Sequence, residues 1–130
     1  MRTHLEFRSP RFAGGPNSIN PMIDGAKLAD FLDAQFQARG YSGGIVEEDW
    51  GWMVALADDP FPLWLGCANY EDNDGWLVFI EPSKPFVRRW FSKVDARAPV
   101  EKVAGLLEKI LVEHGGATDL RWWSDKETGH

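Results

Sequence analysis

Hydrophobic positions recur along this chain with two spacings, one typical of helices and one typical of strands. The helical spacing appears first as an apolar stripe made by Leu28, Phe31, Leu32 and Phe36. Upstream of the stripe, Asn20 is a favoured N-cap residue and Pro21 suits the first helical position. Downstream, Gly40 is of the residue type that commonly ends helices. The pattern therefore predicts a first helix that begins at Pro21 and ends before Gly40.

A second apolar stripe lies nearer the C-terminus. It is made by Val100, Val103, Leu107, Ile110 and Leu111. Pro99 and Glu101 suit a first turn, because proline has no amide hydrogen to leave unbonded there and a carboxylate is favoured at the positive end of a helix. Gly115 and Gly116 follow the stripe and suit the end of a helix. A second helix is therefore predicted between Pro99 and Gly115.

Between the two predicted helices the hydrophobic period shortens to that of strands. Four runs cover residues 45–48, 52–57, 63–69 and 76–81. Residues 58–60 and 71–75 separate three of these runs and contain the aspartate, asparagine and glycine that hairpin turns favour. With further strands expected at residues 4–12 and 120–123, the order is β-α-β-β-β-β-α-β. We therefore predict one α+β domain over residues 1–130, a two-layer sandwich with two helices on one face of a mostly antiparallel sheet.

Both faces of the predicted strands are apolar. In residues 52–57, for example, one face carries Trp52 and Val54 and the other carries Met53 and Ala55. An antiparallel sheet with water on one side normally alternates apolar and polar residues. We therefore expect a loop, the termini or a second protomer to cover part of the face away from the helices.

Composition and charge narrow the function classes. The chain is 44% hydrophobic and 26% charged, close to globular averages, and its net charge of -6 argues against non-specific binding to nucleic acid. It has no apolar run long enough for a membrane span or a signal peptide. Its single cysteine, Cys67, excludes an internal disulfide and suits a reducing compartment. We expect a cytoplasmic protein that contacts neither membrane nor nucleic acid.

No residue pattern points to catalysis. The three histidines lie in separate segments, and Cys67 falls inside a predicted strand, where a buried, unreactive thiol is expected. Asp72, Asp74 and Gly75 match part of a calcium-binding loop, but the predicted strand that follows favours an ordinary acidic turn. We therefore predict no catalytic, metal-binding or cofactor-binding residues.

Acidic residues and tryptophans are concentrated in the middle of the chain. Residues 40–83 contain nine carboxylates, four of the seven tryptophans and no lysine or arginine. Four of the acids are of the type that hairpin turns select, whereas Glu47, Glu48 and Asp49 beside Trp50 lack that explanation. Acidic surfaces attract and orient basic partners. The predicted binding surface for a basic protein consists of Glu47, Glu48, Asp49, Trp50, Asp58, Asp59, Asp72 and Asp74.

Residues 84–97 balance part of this negative charge. This segment contains one acid and five cations, with aromatic residues between them. The cations are Lys84, Arg88, Arg89, Lys93 and Arg97. Such a composition is also found in proteins that bind single-stranded nucleic acid. The favoured interpretation is intramolecular: the cations satisfy the acidic sheet, and Trp90 and Phe91 cover its edge.

Several motifs carry a resemblance to known proteins. They are Asp49-Trp-Gly-Trp52, Phe61-Pro-Leu-Trp-Leu-Gly-Cys67, Trp76-Leu-Val-Phe-Ile-Glu-Pro-Ser-Lys-Pro85, Arg89-Trp-Phe91 and Arg121-Trp-Trp123. Together they resemble a group of small uncharacterised bacterial proteins. In size, charge and fold class the chain is also similar to immunity proteins that neutralise bacterial toxins. That similarity implies a non-enzymatic interaction protein with a basic partner.

Two further interpretations remain open on the sequence. In the first, the chain is a small-molecule-binding module or an enzyme, with Trp52, Trp64 or Trp76 lining a pocket beside a desolvated carboxylate. In the second, the chain forms a homodimer through the apolar second face of its sheet.

Overall fold

The computed structural model describes residues 1–13, 25–71 and 74–124. Within these ranges the chain forms two helices, eight strands and one short 3-10 turn, Pro10–Phe12. The helices are α1 (Ala26–Gln37) and α2 (Arg97–His114). The strands are β1 (His4–Arg8), β2 (Ile45–Glu48), β3 (Gly51–Ala57), β4 (Leu63–Glu71), β5 (Gly75–Glu81), β6 (Phe86–Arg89), β7 (Ser92–Asp95) and β8 (Thr118–Trp123).

Six of these strands form one antiparallel sheet in the order β2-β3-β4-β5-β1-β8. Strands β2 to β5 are consecutive neighbours, because short turns join them, whereas β1 fits between β5 and β8. Strands β6 and β7 form a separate two-stranded hairpin. The α+β class, the antiparallel sheet and the two helices on one face confirm the fold predicted from the sequence.

Both helices pack on the same face of the main sheet. The stripes of α1 and α2, including Leu32 and Leu107, join inward-facing sheet residues in one buried cluster. Trp76 is among the largest side chains in this core and is fully buried. Its indole Nε1 donates a hydrogen bond to the carbonyl oxygen of Ser9 at 2.9 Å, so the polar atom is satisfied.

The prediction for the start of the first helix was wrong. The helix begins at Ala26, because Gly25 has a φ of 139° and cannot be part of a continuous α-helix. Asn20 and Pro21 themselves lie outside the described residues. A glycine with positive φ at residue 25 sets the start of the helix at Ala26.

The sequence did not predict the β6–β7 hairpin. Only Val87 and Val94, which are paired across it, pack against the core. The two-residue turn at Trp90 and Phe91 lacks the glycine, asparagine or aspartate that usually identifies a hairpin. With one inward pair and no turn signal, the segment shows little of the alternation that predicted the other strands.

None of the helices among the described residues combines the length and apolar character needed to cross a membrane.

Candidate protein-binding face

The face of the main sheet away from the helices, here called the open face, has no described helix packed over it, and the turn between β2 and β3 brings Trp50 onto part of it. Residues paired directly across antiparallel strands point to the same side. One row of paired residues crosses all six strands: Val46, Met53, Gly66, Phe79, His4 and Trp123. None of these belongs to the core cluster or packs against it. Among the described residues, the loop covering predicted for this face is therefore limited to the β2–β3 turn.

Five rings form a continuous aromatic band across the open face. The band consists of Trp50, Trp64, Phe79, His4 and Trp123. Phe79 is central, with ring centroids 5.2 Å from Trp50, 5.8 Å from Trp64 and 5.7 Å from His4. His4 in turn stacks on Trp123 at 4.6 Å. These spacings lie within the 4.5 to 7 Å range of favourable aromatic pairs.

Gly66 makes room for the centre of this band. A Cβ atom added at Gly66 would come within 2.6 Å of Phe79 Cε2 and closer still to Phe79 Cζ. The Phe79 ring therefore lies flat over the glycine backbone. Any larger residue at this position would push the ring away from the sheet.

Gly51 brings the acidic β2–β3 turn against the sheet. Its φ is 154°, and a Cβ atom there would overlap the carbonyl oxygen of Cys67 on β4. Only glycine allows this close approach of two backbones. The turn residue before it, Trp50, can then fold onto the aromatic band while remaining 41% exposed.

Three acids border the aromatic band without a described cation partner. Glu48 and Asp49 are exposed in the β2–β3 turn beside Trp50, and Glu81 is paired across β4 and β5 with Trp64. None of the three forms an ion pair with a described residue. The open face therefore has an excess of negative charge close to its rings.

The other charged groups on this face are paired. Arg8 Nη1 lies 2.6 Å from Asp74 Oδ1, and Arg121 Nη1 lies 3.6 Å from Glu6 Oε2. These pairs lie along β1, β8 and the β4–β5 turn. Among the described residues of this face, the unbalanced charge therefore lies at two places, at Glu48 and Asp49 beside Trp50 and at Glu81 beside Trp64.

The structure brings three of the predicted binding residues together. Glu48, Asp49 and Trp50 are adjacent on the open face. Glu47 does not join them, because it is paired with Trp52 and therefore points to the helix-covered side of the sheet.

The remaining predicted binding residues lie apart from these three. Asp58 and Asp59 are exposed in the β3–β4 turn, at the other end of a seven-residue strand and roughly 20 Å away. Asp74 is held by Arg8, and Asp72 lies outside the described residues.

Sequence reasoning did not assign five residues of this site to the binding surface: Trp64, Glu81, His4, Phe79 and Trp123. Alternation along β5 predicts which side of the sheet Glu81 faces. In contrast, His4, Phe79 and Trp123 meet only because β1 pairs with both β5 and β8. These pairings join residues far apart in sequence. No local pattern identifies them.

Neither of two cavities among the described residues has the size of a usual small-molecule site. One cavity of about 100 Å³ is lined by residues including Tyr70 and Trp76, and another of about 220 Å³ lies beside Trp122 and Trp123. Ligand pockets usually measure about 300 to 1,000 Å³. The polar residues buried in the described ranges are Thr3 and Ser9, so no buried carboxylate accompanies either cavity.

Candidate reactive and metal-binding groups are equally absent from the described ranges. No group of three or more histidine, cysteine, aspartate or glutamate side chains is placed to hold a metal ion there. Cys67 is fully buried on the core side of β4, and burial raises the pKa of its thiol well above the ordinary value. The expected burial of Cys67 is confirmed.

The basic segment is not arranged as predicted. Trp90 is 89% exposed and Phe91 is fully exposed, so neither covers the edge of the main sheet. Arg97 binds Asp95 within the same segment at 2.7 Å. Arg88, Arg89 and Lys93 form no ion pair with any described residue. The expectation that Trp90 and Phe91 cover the sheet edge is therefore wrong, and none of Arg88, Arg89, Lys93 and Arg97 forms an ion pair with a described acid of the main sheet.

Comparisons with protein-family models, with curated proteins and with solved structures give no match for this chain. The resemblance to small bacterial proteins and to immunity proteins stays a prediction.

Proposed function

We propose that this chain is a non-enzymatic interaction protein that binds a basic protein partner on its open face. The observation that carries the proposal is the aromatic band, which spans the sheet, has no described helix over it and is bordered by Glu48, Asp49 and Glu81. Extended apolar patches with a polar rim commonly mark protein-binding sites.

The rings supply the affinity in this proposal. Tryptophan is enriched among the residues that dominate binding energy, and such residues lie at the centre of an interface within a water-excluding border. Trp50 suits this role, because its ring contacts both Trp64 and Phe79 and is still 41% exposed. A partner that covered it would remove a large apolar surface from water.

The acids supply charge selection. Exposed carboxylates beside the band favour a partner that carries lysine or arginine, and they repel acidic proteins. Exposed charges are screened over about 8 to 10 Å at physiological ionic strength. Association should therefore be fast at low salt and slower as salt is added.

A more specific form of the proposal is an immunity-type protein that neutralises a basic toxin in the cytoplasm. It is supported by the acidic charge, the small α+β fold and the reduced, buried Cys67. The alternative of a tryptophan-lined small-molecule pocket has less support. Trp76 is enclosed in a filled core, and Trp52 lies between the sheet and Gly25 at the start of α1.

The proposal is tested with a defined probe. A fluorescently labelled 14-residue peptide with five arginine or lysine residues and one tryptophan is titrated with the full chain, and anisotropy is recorded at several salt concentrations. A peptide with glutamate in place of each cation is the charge control. The proposal expects binding of the basic peptide alone.

Variants then locate the binding surface. Glu48→Gln combined with Asp49→Asn and Glu81→Gln should weaken binding about tenfold and flatten its salt dependence, since three screened charges are removed. Trp50→Ala should weaken binding by about 30-fold or more. Glu47→Gln is the matched control, because this acid is adjacent in sequence but faces the helices. If the triple variant kept the affinity and salt dependence of the parent, the open face would be the wrong surface.

A further inference from the structure

The β6–β7 hairpin breaks several rules of hairpin construction at one place. Its tip is formed by Trp90 and Phe91, both almost entirely exposed. Trp90 has a φ of 56°, in the left-handed region that bulky residues avoid. Glycine or asparagine would fit this position without strain. Such strain is typical of functional sites, because it persists only where the strained residue is needed.

The charges behind the tip are also unfavourable in the isolated chain. Arg88 and Lys93 are directly opposite each other across the hairpin, and like charges in this arrangement are destabilising. Arg89 adds a third cation, and no described carboxylate pairs with any of the three. Two exposed rings and three cations without an ion pair to a described residue thus lie together in one hairpin.

The hairpin is anchored so that its tip stands clear of the core. The Val87–Val94 pair is its last contact with the core cluster. Trp90 is three residues farther along, which places the tip about 10 Å beyond that contact. The ion pair between Asp95 and Arg97 and the position of Arg97 over the Phe86 ring brace the base.

This unit is complementary to the open face of the same protein. Among the described residues, the hairpin has three cations without an ion pair beside two exposed rings, and the β2–β3 turn has two acids without one, Glu48 and Asp49, beside Trp50. We propose that the partner of the open face is the β6–β7 hairpin of a second copy of this chain, in a two-fold symmetric dimer. The inference rests on the proposed function, because it names the partner of that surface.

The topology fits a reciprocal arrangement. β5 runs away from the β2–β3 turn, so the hairpin that follows β5 leaves the opposite end of the sheet from Glu48 and Asp49. A two-fold axis that lies between two opposed open faces and runs perpendicular to their strands sets the hairpin end of each copy against the acidic turn of the other. Because each hairpin binds the other copy, the assembly is complete as a dimer. Head-to-tail docking of one hairpin per contact would instead produce open filaments.

The buried area is sufficient for a stable dimer. Each aromatic side chain can bury about 150 to 250 Å². The dimer has two hairpins with two tip rings each, and an equal area is buried on the surfaces that receive them, so about 1,200 to 2,000 Å² is removed from water in total. Stable interfaces bury about this much. Pairing through the exposed edge of β2 is disfavoured, because Glu47 and Glu48 place charges along that edge.

The test is a reciprocal charge exchange read by solution mass. Sedimentation equilibrium of the full chain at 1 to about 100 μM should give a dimer. Arg88→Glu with Lys93→Glu, and separately Glu48→Lys with Asp49→Lys, should each weaken association by about 100-fold, since each brings like charges together. A 1:1 mixture of the two variants should form a heterodimer, because both contacts then again join opposite charges.

Two control variants keep the outcome interpretable. Lys102→Glu with Lys109→Glu reverses two exposed cations on α2 and should leave the dimer intact. Trp90→Ser with Phe91→Ser changes only exposed tip residues and should give a folded monomer with an unchanged circular dichroism spectrum.

Several results would overturn the inference while leaving the proposed function standing. The inference is overturned if the parent protein is a monomer at about 100 μM. It is also overturned if the variant Arg88→Glu with Lys93→Glu still forms the dimer. Binding of the monomer to anionic vesicles or to single-stranded DNA, lost on hairpin reversal, would assign the hairpin to another ligand. A separate result would contradict the proposed function. It is that the variant Glu48→Lys with Asp49→Lys binds the basic peptide as tightly as the parent protein does.

Discussion

Two glycine-to-alanine substitutions should change stability in opposite directions. Gly51 has a φ of 154°, and its Cβ would overlap the backbone carbonyl of Cys67. Backbone strain of this kind costs about 1 to 3 kcal/mol. Forcing an atom into a filled site adds about 1 to 3 kcal/mol. Because the obstacle is backbone rather than a mobile side chain, Gly51→Ala should lose about 2 to 6 kcal/mol.

Gly105 is the matched control. It lies in the middle of α2, it is exposed, and a Cβ atom there would meet nothing within 4 Å. Alanine in a helix interior is favoured over glycine by about 0.5 to 1 kcal/mol, because glycine loses more backbone freedom on folding. Gly105→Ala should therefore stabilise the protein.

Urea unfolding followed by circular dichroism measures both effects. Most small proteins have unfolding free energies of about 5 to 15 kcal/mol, so Gly51→Ala should move the midpoint markedly or abolish folding. Gly105→Ala should raise the midpoint slightly without changing the slope. A Gly51→Ala variant at least as stable as the parent would refute the close approach of the β2–β3 turn to β4.

Three further predictions test other parts of the structure. Gly66→Ala should displace the Phe79 ring from the sheet and weaken binding of the basic peptide by about tenfold, whereas a variant with the parent's affinity would count against the aromatic band. The hydrogen bonds and charge of Arg97 lower the pKa of Asp95 to about 2 from 3.8, so this pair stabilises the fold above pH 4 and the contribution disappears as the pH falls through 2. The difference in Tm between the parent and Asp95→Asn should accordingly shrink between pH 5 and pH 2, and a constant difference would argue against the pair. Cys67 should react with a thiol reagent only in denaturant, and rapid labelling of the native protein would show that its burial is incomplete.

The sequence was most informative where local pattern and tertiary structure agree. Alternation and turn residues located all six strands of the main sheet, since short turns pair consecutive strands and hydrophobic burial sets their sides. The helix start at Pro21 was wrong because capping signals act locally, while Gly25 determines where the helix begins. The hairpin at residues 86–95 was missed because its exposed residues obey no burial pattern.

The candidate site was predictable only in part. Glu48, Asp49 and Trp50 were identified as a group, but Glu47 belongs to the other side of the sheet. Strict alternation along β2 would have separated Glu47 from Glu48 once the strand's orientation was known. The meeting of His4 with Phe79 and Trp123 depends on pairing between distant strands, which no single-sequence pattern specifies.

The most direct test of the open face uses the tryptophan indole protons as reporters in an NMR titration. Trp50 and Trp64 lie in the aromatic band, whereas Trp52 packs against the core and Trp76 is enclosed within it. Addition of the basic peptide should shift the Hε1 signals of Trp50 and Trp64 and leave those of Trp52 and Trp76 unchanged. Saturable binding that shifts only Trp52 and Trp76, or that leaves all four signals in place, would contradict the assignment of the open face as the binding surface.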